Sequence, residues 1–259
     1  MNKESYFNNQ VVLISGGLGD IGLATVKAFA RQGARVAIGD RLSPEAAALQ
    51  LARLQEVGYP CRYDQVDVQD AEAVEQWVES IAEHWGKVDI AIANAATVTL
   101  KDYQQISPAE WDQEIKVNLN GSFYLANAVA RKIVQQGSAG NIVFLGSWAA
   151  HVVHQNLPAY SVSKAAIRML CQSMALEYAP HGIRINEVAP GYVNAGLSKE
   201  VWSQHPGLAD QARETVPVRA LIEAEEVADQ VVWICHPKNR HLTGSTILMD
   251  GGLSLSRKS

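Results

Sequence analysis

A short buried strand that runs directly into a glycine-rich turn and a helix limits the possible folds of this 259-residue chain more than any other feature. Val11–Ile14 is an apolar run typical of a buried strand, and the turn Ser15–Gly22 that follows contains four glycines. A helical pattern of apolar residues comes next and ends near Gly33. Such a turn lets the backbone approach a phosphate, whose negative charge the free N–H groups and the helix dipole favour. The sequence therefore predicts a site for the pyrophosphate of a dinucleotide.

The second predicted strand ends in an acidic residue, which bears on the choice of dinucleotide. Ala34–Gly39 leads to Asp40, 24 residues after Gly16. A carboxylate at this place accepts hydrogen bonds from the adenosine ribose hydroxyls and repels a 2′-phosphate. Asp40 therefore favours NAD over NADP, although the neighbouring guanidinium of Arg41 could receive a phosphate.

Strands and helices alternate along the whole chain. Further predicted strands are Val88–Ala93, Asn141–Gly146, Ile183–Ala189 and Thr246–Asp250, and the helical stretches include Ala71–Trp85 and Glu110–Gln135. This alternation predicts an α/β fold, a doubly wound parallel sheet with helices on both faces, in a single domain over residues 1–259. Ligands of such sheets bind beyond the carboxyl ends of the strands, where we expect Asn94, Ser147 and Pro190–Gly191 to converge.

Tyr160 and Lys164 lie four residues apart, and Ser147 precedes the tyrosine by thirteen residues. If the chain is helical from Pro158 onward, the phenol and the ammonium share one face. A nearby cation favours the phenolate and lowers the pKa of a tyrosine toward the range useful for acid–base catalysis. Ser147, at a strand end, could hold a substrate oxygen while Tyr160 exchanges its proton. Taken alone, a Tyr-x-x-x-Lys pair is also common in ordinary amphipathic helices.

Seven motifs between Gln10 and Gly252 resemble, in order, those of the short-chain dehydrogenase/reductase family. The family's Thr-Gly-x-x-x-Gly-x-Gly turn matches Ser15–Gly22, its Asp-Val pair matches Asp67–Val68, and its Asn-Asn-Ala-Gly strand end matches Ala93–Ala96. Its Val-Asn-Leu helix matches Val117–Leu119, and its Ser with Tyr-x-x-x-Lys matches Ser147 with Tyr160 and Lys164. Its Asn-x-Val-x-Pro-Gly loop matches Asn186–Gly191, and its terminal Thr-Gly with Asp-Gly-Gly matches Thr243–Gly244 with Asp250–Gly252. The resemblance implies a Rossmann fold and an oxidoreductase that uses a nicotinamide dinucleotide.

The resemblance also implies roles for individual residues. The catalytic set is Asn118, Ser147, Tyr160 and Lys164. The cofactor-binding set is Ser15, Gly16, Leu18, Asp20, Ile21, Gly22, Asp40, Arg41, Asp67, Val68, Asn94, Tyr160, Lys164, Pro190, Gly191 and Val193. The substrate set is Ser147, Ala149, His154, Tyr160 and Tyr192. In the family, residues at about 191–215 form a mobile lid, Asn118 helps to position the lysine through a water-linked relay, and the chains commonly assemble as homotetramers.

Among the departures from the family pattern, Ala96 in place of glycine is small, and three others bear on the site. Asp20 replaces the middle glycine of the first motif, and we expect its carboxylate to turn outward and to cap the following helix. Ala195 stands where the family often has a threonine that contacts the nicotinamide carboxamide, a contact that Asn194 or Ser198 could supply instead. Glu187, inside the Asn-x-Val motif, is unusual there and is expected to have a structural role.

Composition and charge exclude several classes of function. The net charge is −5 without a basic cluster, which argues against a nucleic-acid surface. No apolar run is long enough to span a bilayer, and none follows Met1–Glu4 as a secretory signal would. Three widely spaced cysteines suit a reducing cytoplasm, and His151 and His154 form no metal pattern. The sequence thus predicts a cytoplasmic protein with a small-molecule substrate and no metal, nucleic acid or membrane partner.

The combined prediction is hydride transfer between a secondary alcohol and its ketone, with NAD as cofactor and Tyr160 as acid/base. The candidate pocket residues are Trp148, His151, His154, Tyr192, Asn194 and Trp202. They suit a sugar or polyol, since aromatic rings stack on C–H faces and His or Asn bonds hydroxyl groups, and they suit a cyclic or aromatic secondary alcohol equally. One alternative is an NAD(P)H-dependent ketone reductase for steroid, cyclic or acyl-thioester substrates. A more distant one is a regulator that senses NAD without turnover, which would be expected to lack Tyr160, Lys164 or Ser147.

Overall fold

One parallel sheet forms the centre of the part of the chain that the computed structural model describes, residues 5–196, 198, 199, 202 and 207–255. Its seven strands lie in the order β3-β2-β1-β4-β5-β6-β7. The strands are β1 Val11–Ser15, β2 Arg35–Asp40, β3 Cys61–Gln65, β4 Ile90–Ala93, β5 Gly140–Leu145, β6 Ile183–Pro190 and β7 Thr246–Met249. The chain moves outward from β1 to β3 and then returns to β4 on the other side of β1. A crevice at the carboxyl ends of β1 and β4 follows from this reversal.

Helices cover both faces of the sheet. They are α1 Asp20–Ala30, α2 Pro44–Glu56, α3 Ala71–Trp85, α4 Pro108–Glu114, α5 Gly121–Gln136, α6 Pro158–Tyr178, α7 Leu208–Thr215 and α8 Ala224–Cys235. Alternate strand residues point to opposite faces, so Val12 and Ile14 pack with α1, α2 and α8, whereas Val11 and Leu13 pack with α3, α5 and α6. The predicted doubly wound α/β fold of Rossmann type is confirmed.

Two elements differ from the sequence prediction. The helix expected at 110–135 is divided into α4, a π-helical turn at Ile115–Asn120, and α5. Strand β3 was not predicted, because Cys61–Gln65 contains three polar residues, lacks an apolar run and is only partly buried. It lies at the edge of the sheet and pairs with β2 alone, and its Arg62 and Asp64 form an ion pair of 2.7 Å.

Some predictions from the sequence fall on residues outside the described part. The expected lid at 191–215 includes residues 197, 200, 201 and 203–206, and the segment Met1–Glu4 lies at one end of the chain. Among the helices that are described, none combines the length and the apolar character needed to span a membrane.

Candidate active site

A cleft of about 380 Å³ lies along the carboxyl ends of the central strands. It is lined by most residues of the predicted cofactor set, namely Gly16, Asp20, Ile21, Gly22, Asp40, Arg41, Asp67, Val68, Asn94, Tyr160, Lys164, Pro190, Gly191 and Val193, and also by Ser147. The predicted residues that do not line it are Ser15, Leu18, Asn118, Ala149, His154 and Tyr192. The cleft extends from the end of β2, at Asp40, to the start of α6, at Tyr160.

The glycine-rich turn forms one wall of this cleft. A Cβ atom at Gly22 would lie 2.2 Å from the carbonyl oxygen of Gly16, so no larger residue fits this turn. Gly19 is the N-cap of α1 and supplies no side-chain hydrogen bond to the helix. The N–H groups of the first turn are therefore available to an anion, as the pyrophosphate of a dinucleotide requires.

The expectation that Asp20 caps α1 is wrong. Asp20 is the first helical residue, one position beyond the cap, and its Oδ2 accepts a hydrogen bond from the N–H of Gly196 at 2.7 Å. The side chain is exposed and lies on the wall of the cleft. It ties the turn after β1 to the segment after β6.

The far end of the cleft presents a carboxylate. Asp40 accepts hydrogen bonds from the N–H groups of Leu18 at 3.2 Å and Leu42 at 3.4 Å. Leu18 therefore serves to orient Asp40 and is itself buried. Asp67 is fixed in a similar way, because it accepts the N–H of Gln69 at 3.0 Å.

Ser15 and Asn94 join the ends of β1 and β4. The Ser15 Oγ accepts the N–H of Asn94 at 3.2 Å, and the Asn94 Nδ2 donates to the carbonyl oxygens of Ser15 at 3.1 Å and Gly16 at 2.9 Å. Ser15 thus acts on the cleft through Asn94, which explains why a residue of the predicted set lies behind the wall.

Ser147, Tyr160 and Lys164 meet at the inner end of the cleft. Lys164 is 2% exposed, and its Nζ donates to the carbonyl oxygen of Leu145 at 2.7 Å and lies 5.5 Å from the centre of the Tyr160 ring. Burial lowers the pKa of Lys164 to about 8, and the negative charge of Glu187 opposes that change. The lysine is therefore a cation that loses its proton far more readily than an exposed one.

The tyrosine does not behave as the sequence predicted. Burial raises the pKa of Tyr160, a hydrogen bond with Ser147 lowers it, and the charge of Glu114 raises it again. The net lowering of the Tyr160 pKa expected from the sequence is therefore wrong, because the loss of solvent dominates. Formation of the phenolate requires a higher pH than the sequence implied.

Asn118 holds the wall of the cleft and does not line it. It is fully buried in the π-helical turn. Its Oδ1 accepts the N–H of Thr97 at 2.8 Å, and its Nδ2 donates to the carbonyl oxygen of Thr97 at 2.9 Å and to Ser163 at 3.1 Å. Asn118 is therefore a positioning residue that connects the segment after β4 to α6.

An aromatic group stands beside the inner end of the cleft. The Trp148 ring contacts His154 edge-on at 4.0 Å and Tyr192 edge-on at 5.1 Å between ring centres. Burial lowers the pKa of His154, and its Nε2 is buried without a hydrogen-bond partner in the described structure. Ala149 donates its N–H to the Ser147 Oγ at 3.1 Å and so helps to orient the hydroxyl.

Several cleft residues were not predicted from the sequence. They include Thr97, Gln113, Val117, Leu145, Gly146, Ala195 and Gly196. Gln113 and Val117 are four residues apart on α4 and the π-helical turn, a spacing that could have indicated a shared face. Of the two substitutes considered for the family threonine, Ser198 lines the cleft, while the Asn194 amide donates to Glu223 at 3.1 Å.

Comparison with known proteins identifies the family. A family model described as enoyl-(acyl carrier protein) reductase matches residues 17–254. The chain belongs to the short-chain dehydrogenase/reductase family. The family predicted from the seven motifs is thereby confirmed, and the protein is an oxidoreductase of a family that binds nicotinamide cofactors.

Three similar proteins illustrate the relation. Carbonyl reductase [NADPH] 2 of Sus scrofa is 32% identical, over 95% of this chain and 97% of that protein. L-rhamnose 1-dehydrogenase (NAD(P)(+)) of Azotobacter vinelandii is 32% identical, over 95% of this chain and 96% of that protein. The crystal structure of gox2181 superposes with a TM-score of 0.92 at 32% identity and covers 98% of both chains.

Proposed function

We propose that this short-chain dehydrogenase/reductase transfers hydride between a secondary alcohol and NAD, with Tyr160 as the acid/base. The observation that carries the proposal is one cleft with Asp40 at its outer end and Ser147, Tyr160 and Lys164 at its inner end. The glycine-rich turn between them, with a free helix N-terminus, suits the pyrophosphate. NAD, when bound, would supply the acceptor for the hydride.

In the proposed mechanism the chain handles the proton and the oxygen. The substrate hydroxyl lies between Ser147 and Tyr160, and the Tyr160 phenolate takes its proton as the carbinol carbon gives up hydride. The Ser147 hydroxyl, held by the Ala149 N–H, stabilises the charge that develops on oxygen. Lys164, anchored on Leu145, supplies positive charge beneath the ring. Because burial raises the pKa of Tyr160 and lowers that of Lys164 to about 8, the rate of alcohol oxidation should rise as the pH increases from neutral and fall again once Lys164 loses its proton.

The preference for NAD rests on Asp40. Its carboxylate is oriented by two backbone N–H groups and lies on the wall of the cleft. An oriented carboxylate accepts hydrogen bonds from ribose hydroxyls and repels a 2′-phosphate.

A sugar or polyol is the substrate class that the inner end suits best. Trp148 and Tyr192, which follow the lining residues Ser147 and Gly191 in the chain, place aromatic rings beside the inner end of the cleft, and such rings suit the C–H groups of a sugar. The similarity to an L-rhamnose 1-dehydrogenase agrees with this class.

A panel assay tests the proposal. Purified protein is mixed with NAD or NADP and with sugars, polyols, cyclic secondary alcohols and hydroxysteroids at alkaline pH, and the absorbance of the reduced nicotinamide is followed. We expect a rise with NAD and a sugar or polyol. Turnover with NADP alone would contradict the role given to Asp40, and turnover of steroids alone would contradict the substrate class.

A ketone reductase that uses NADPH is the second candidate. Arg41 lines the cleft next to Asp40 and could receive a 2′-phosphate, and a carbonyl reductase [NADPH] is among the similar proteins. The same panel, run with ketones and NADPH, separates the two candidates.

We further propose one catalytic domain over residues 1–259, with residues at about 191–215 as a lid, in a cytoplasmic homotetramer. The hydrogen bond between Asp20 and Gly196 supports the lid, since it crosses from this segment to the dinucleotide turn.

Three unpaired thiols, those of Cys61, Cys171 and Cys235, suit a reducing compartment. The support for the tetramer is the set of exposed apolar side chains on α5, α6, α8 and β7, namely Phe123, Val162, Met169, Leu176, Trp233 and Leu248.

A further inference from the structure

Glu187 is a fully buried carboxylate for which the proposed mechanism has no use. It lies on β6 and is 0% exposed. It shares a face with Ile183 and Ile185, which pack in the core beneath α6. The Oε2 atom accepts a hydrogen bond from the Thr246 hydroxyl on β7, and Oε1 has no hydrogen-bond partner in the described structure.

The carboxylate lies directly behind the strand end that carries the catalytic groups. A Cβ atom at Gly146 would be 1.8 Å from Oε1 of Glu187, so the carboxylate occupies the space that any other residue at 146 would need. Gly146 stands between Leu145, whose carbonyl oxygen holds Lys164 at 2.7 Å, and Ser147. Glu187 is therefore packed against the backbone that positions both side chains.

The charged side chains that act on Glu187 lie on α6. Lys164, Arg168 and Cys171 interact electrostatically with Glu187, and β7 contributes the Thr246 hydroxyl. Burial raises the pKa of Glu187, whereas the Thr246 hydrogen bond and the charges of Lys164 and Arg168 lower it. In turn, the Glu187 charge raises the pKa of Lys164 against the effect of burial. The other acidic group that acts on the pair is Glu114, which faces Tyr160.

We propose that Glu187 is a positioning residue whose buried negative charge keeps Lys164 protonated beneath Tyr160 and fixes the Leu145–Ser147 strand end. The inference rests on the proposed function, because it assigns the pH range in which the tyrosine–lysine pair is active. Without this charge, a lysine that is almost completely buried loses its proton more easily. The pair then lacks the cation that the phenolate needs.

The test is the pH profile of kcat/KM for Glu187→Gln, which keeps the size of the side chain and removes the charge. Loss of the Glu187 charge lowers the pKa of Lys164, so the alkaline limb of the profile, on which Lys164 loses its proton, should move to lower pH. Glu177→Gln is the matched control, since it removes an exposed carboxylate from α6, the helix that carries Tyr160 and Lys164. The control profile should coincide with that of the wild type.

A second pair of variants leaves Glu187 in place. Thr246→Val removes the hydroxyl that stabilises the carboxylate, so Glu187 binds a proton more readily, and a smaller shift in the same direction is expected. Thr246→Ser keeps the hydroxyl and should show no shift. An active Glu187→Gln enzyme with an unmoved profile overturns the inference and leaves the proposed function intact. If Glu187→Gln does not fold, an unmoved Thr246→Val profile overturns it equally. Failure of the proposed function would appear separately, as turnover retained by Tyr160→Phe.

Discussion

At the scale of single residues, the proposed cofactor preference depends on the charge of Asp40. Asp40→Asn keeps an oxygen for the Leu18 N–H and removes the charge that repels a 2′-phosphate. A hydrogen bond to a charged group contributes about 1.5–3 kcal/mol. We therefore expect the ratio of kcat/KM for NADP to that for NAD to rise by roughly tenfold or more, measured by steady-state kinetics with both cofactors.

Asp67→Asn provides the control for this prediction. Asp67 also lines the cleft, but it follows β3, whereas Asp40 ends β2. Its substitution should change both cofactors alike and leave their ratio unchanged. A constant ratio in Asp40→Asn would show that another group selects the cofactor.

Single residues also show where sequence reasoning reaches its limit. Ser147, Tyr160 and Lys164 were predicted to meet, and the cleft brings them together, because their spacing is tied to a strand end and one helical turn. The direction of the Tyr160 pKa was not predicted, since it depends on burial and on Glu114, 46 residues earlier in the chain. Spacing along the chain contains no measure of burial.

At the scale of elements, the connection between α1 and the segment after β6 is the feature with a direct consequence. Asp20 holds the N–H of Gly196 at 2.7 Å at the mouth of the cleft. Asp20→Ala removes this bond, and Asp20→Asn keeps an acceptor without the charge. We expect Asp20→Ala to weaken NAD binding about fivefold, measured by calorimetry, if the bond contributes about 1 kcal/mol.

The two variants distinguish the effect of the Asp20–Gly196 hydrogen bond on NAD binding from the effect of charge repulsion between Asp20 and the pyrophosphate. If the bond matters, Asp20→Asn should bind NAD at least as well as the wild type, while Asp20→Ala binds it less well. Tighter binding by both variants would mean that the carboxylate acts mainly by repelling the pyrophosphate.

Elements with a strong apolar pattern were predicted well, and those without one were not. The predicted helix Ala71–Trp85 agrees with α3 at both ends, since its N-cap Asp70 and the left-handed Gly86 fix its limits. Strand β3 was missed because its residues are polar and it lies at the sheet edge. The π-helical turn was missed because the apolar pattern of residues 110–135 does not mark it, and the hydrogen bonds of its Asn118 go to Thr97, outside that segment.

At the scale of the whole molecule, α6 carries a stripe of exposed apolar residues. Val162, Met169 and Leu176 are seven residues apart and so lie on one face of the helix. Met169 is 64% exposed in the single chain, and exposed apolar patches commonly mark protein interfaces. For the proposed homotetramer we expect a mass of four times 28.2 kDa by light scattering.

A charged residue in this stripe should break the assembly. Met169→Asp is expected to give a smaller species, because burial of an unpaired carboxylate in an interface is unfavourable. Leu49→Asp on α2 is the control, with a side chain that is 66% exposed and lies outside the stripe. A wild-type chain of monomeric mass, or an unchanged mass for Met169→Asp, would contradict an interface at α6.

Turnover and NAD binding by Tyr160→Phe decide whether Tyr160 is the acid/base. Removal of a general acid/base typically reduces the rate by about 10²–10⁴-fold, and we expect a loss in this range with NAD affinity unchanged by calorimetry. Tyr178→Phe, which removes a hydroxyl from the same helix, should keep full activity. Near-normal turnover by Tyr160→Phe would contradict the mechanism proposed for this enzyme.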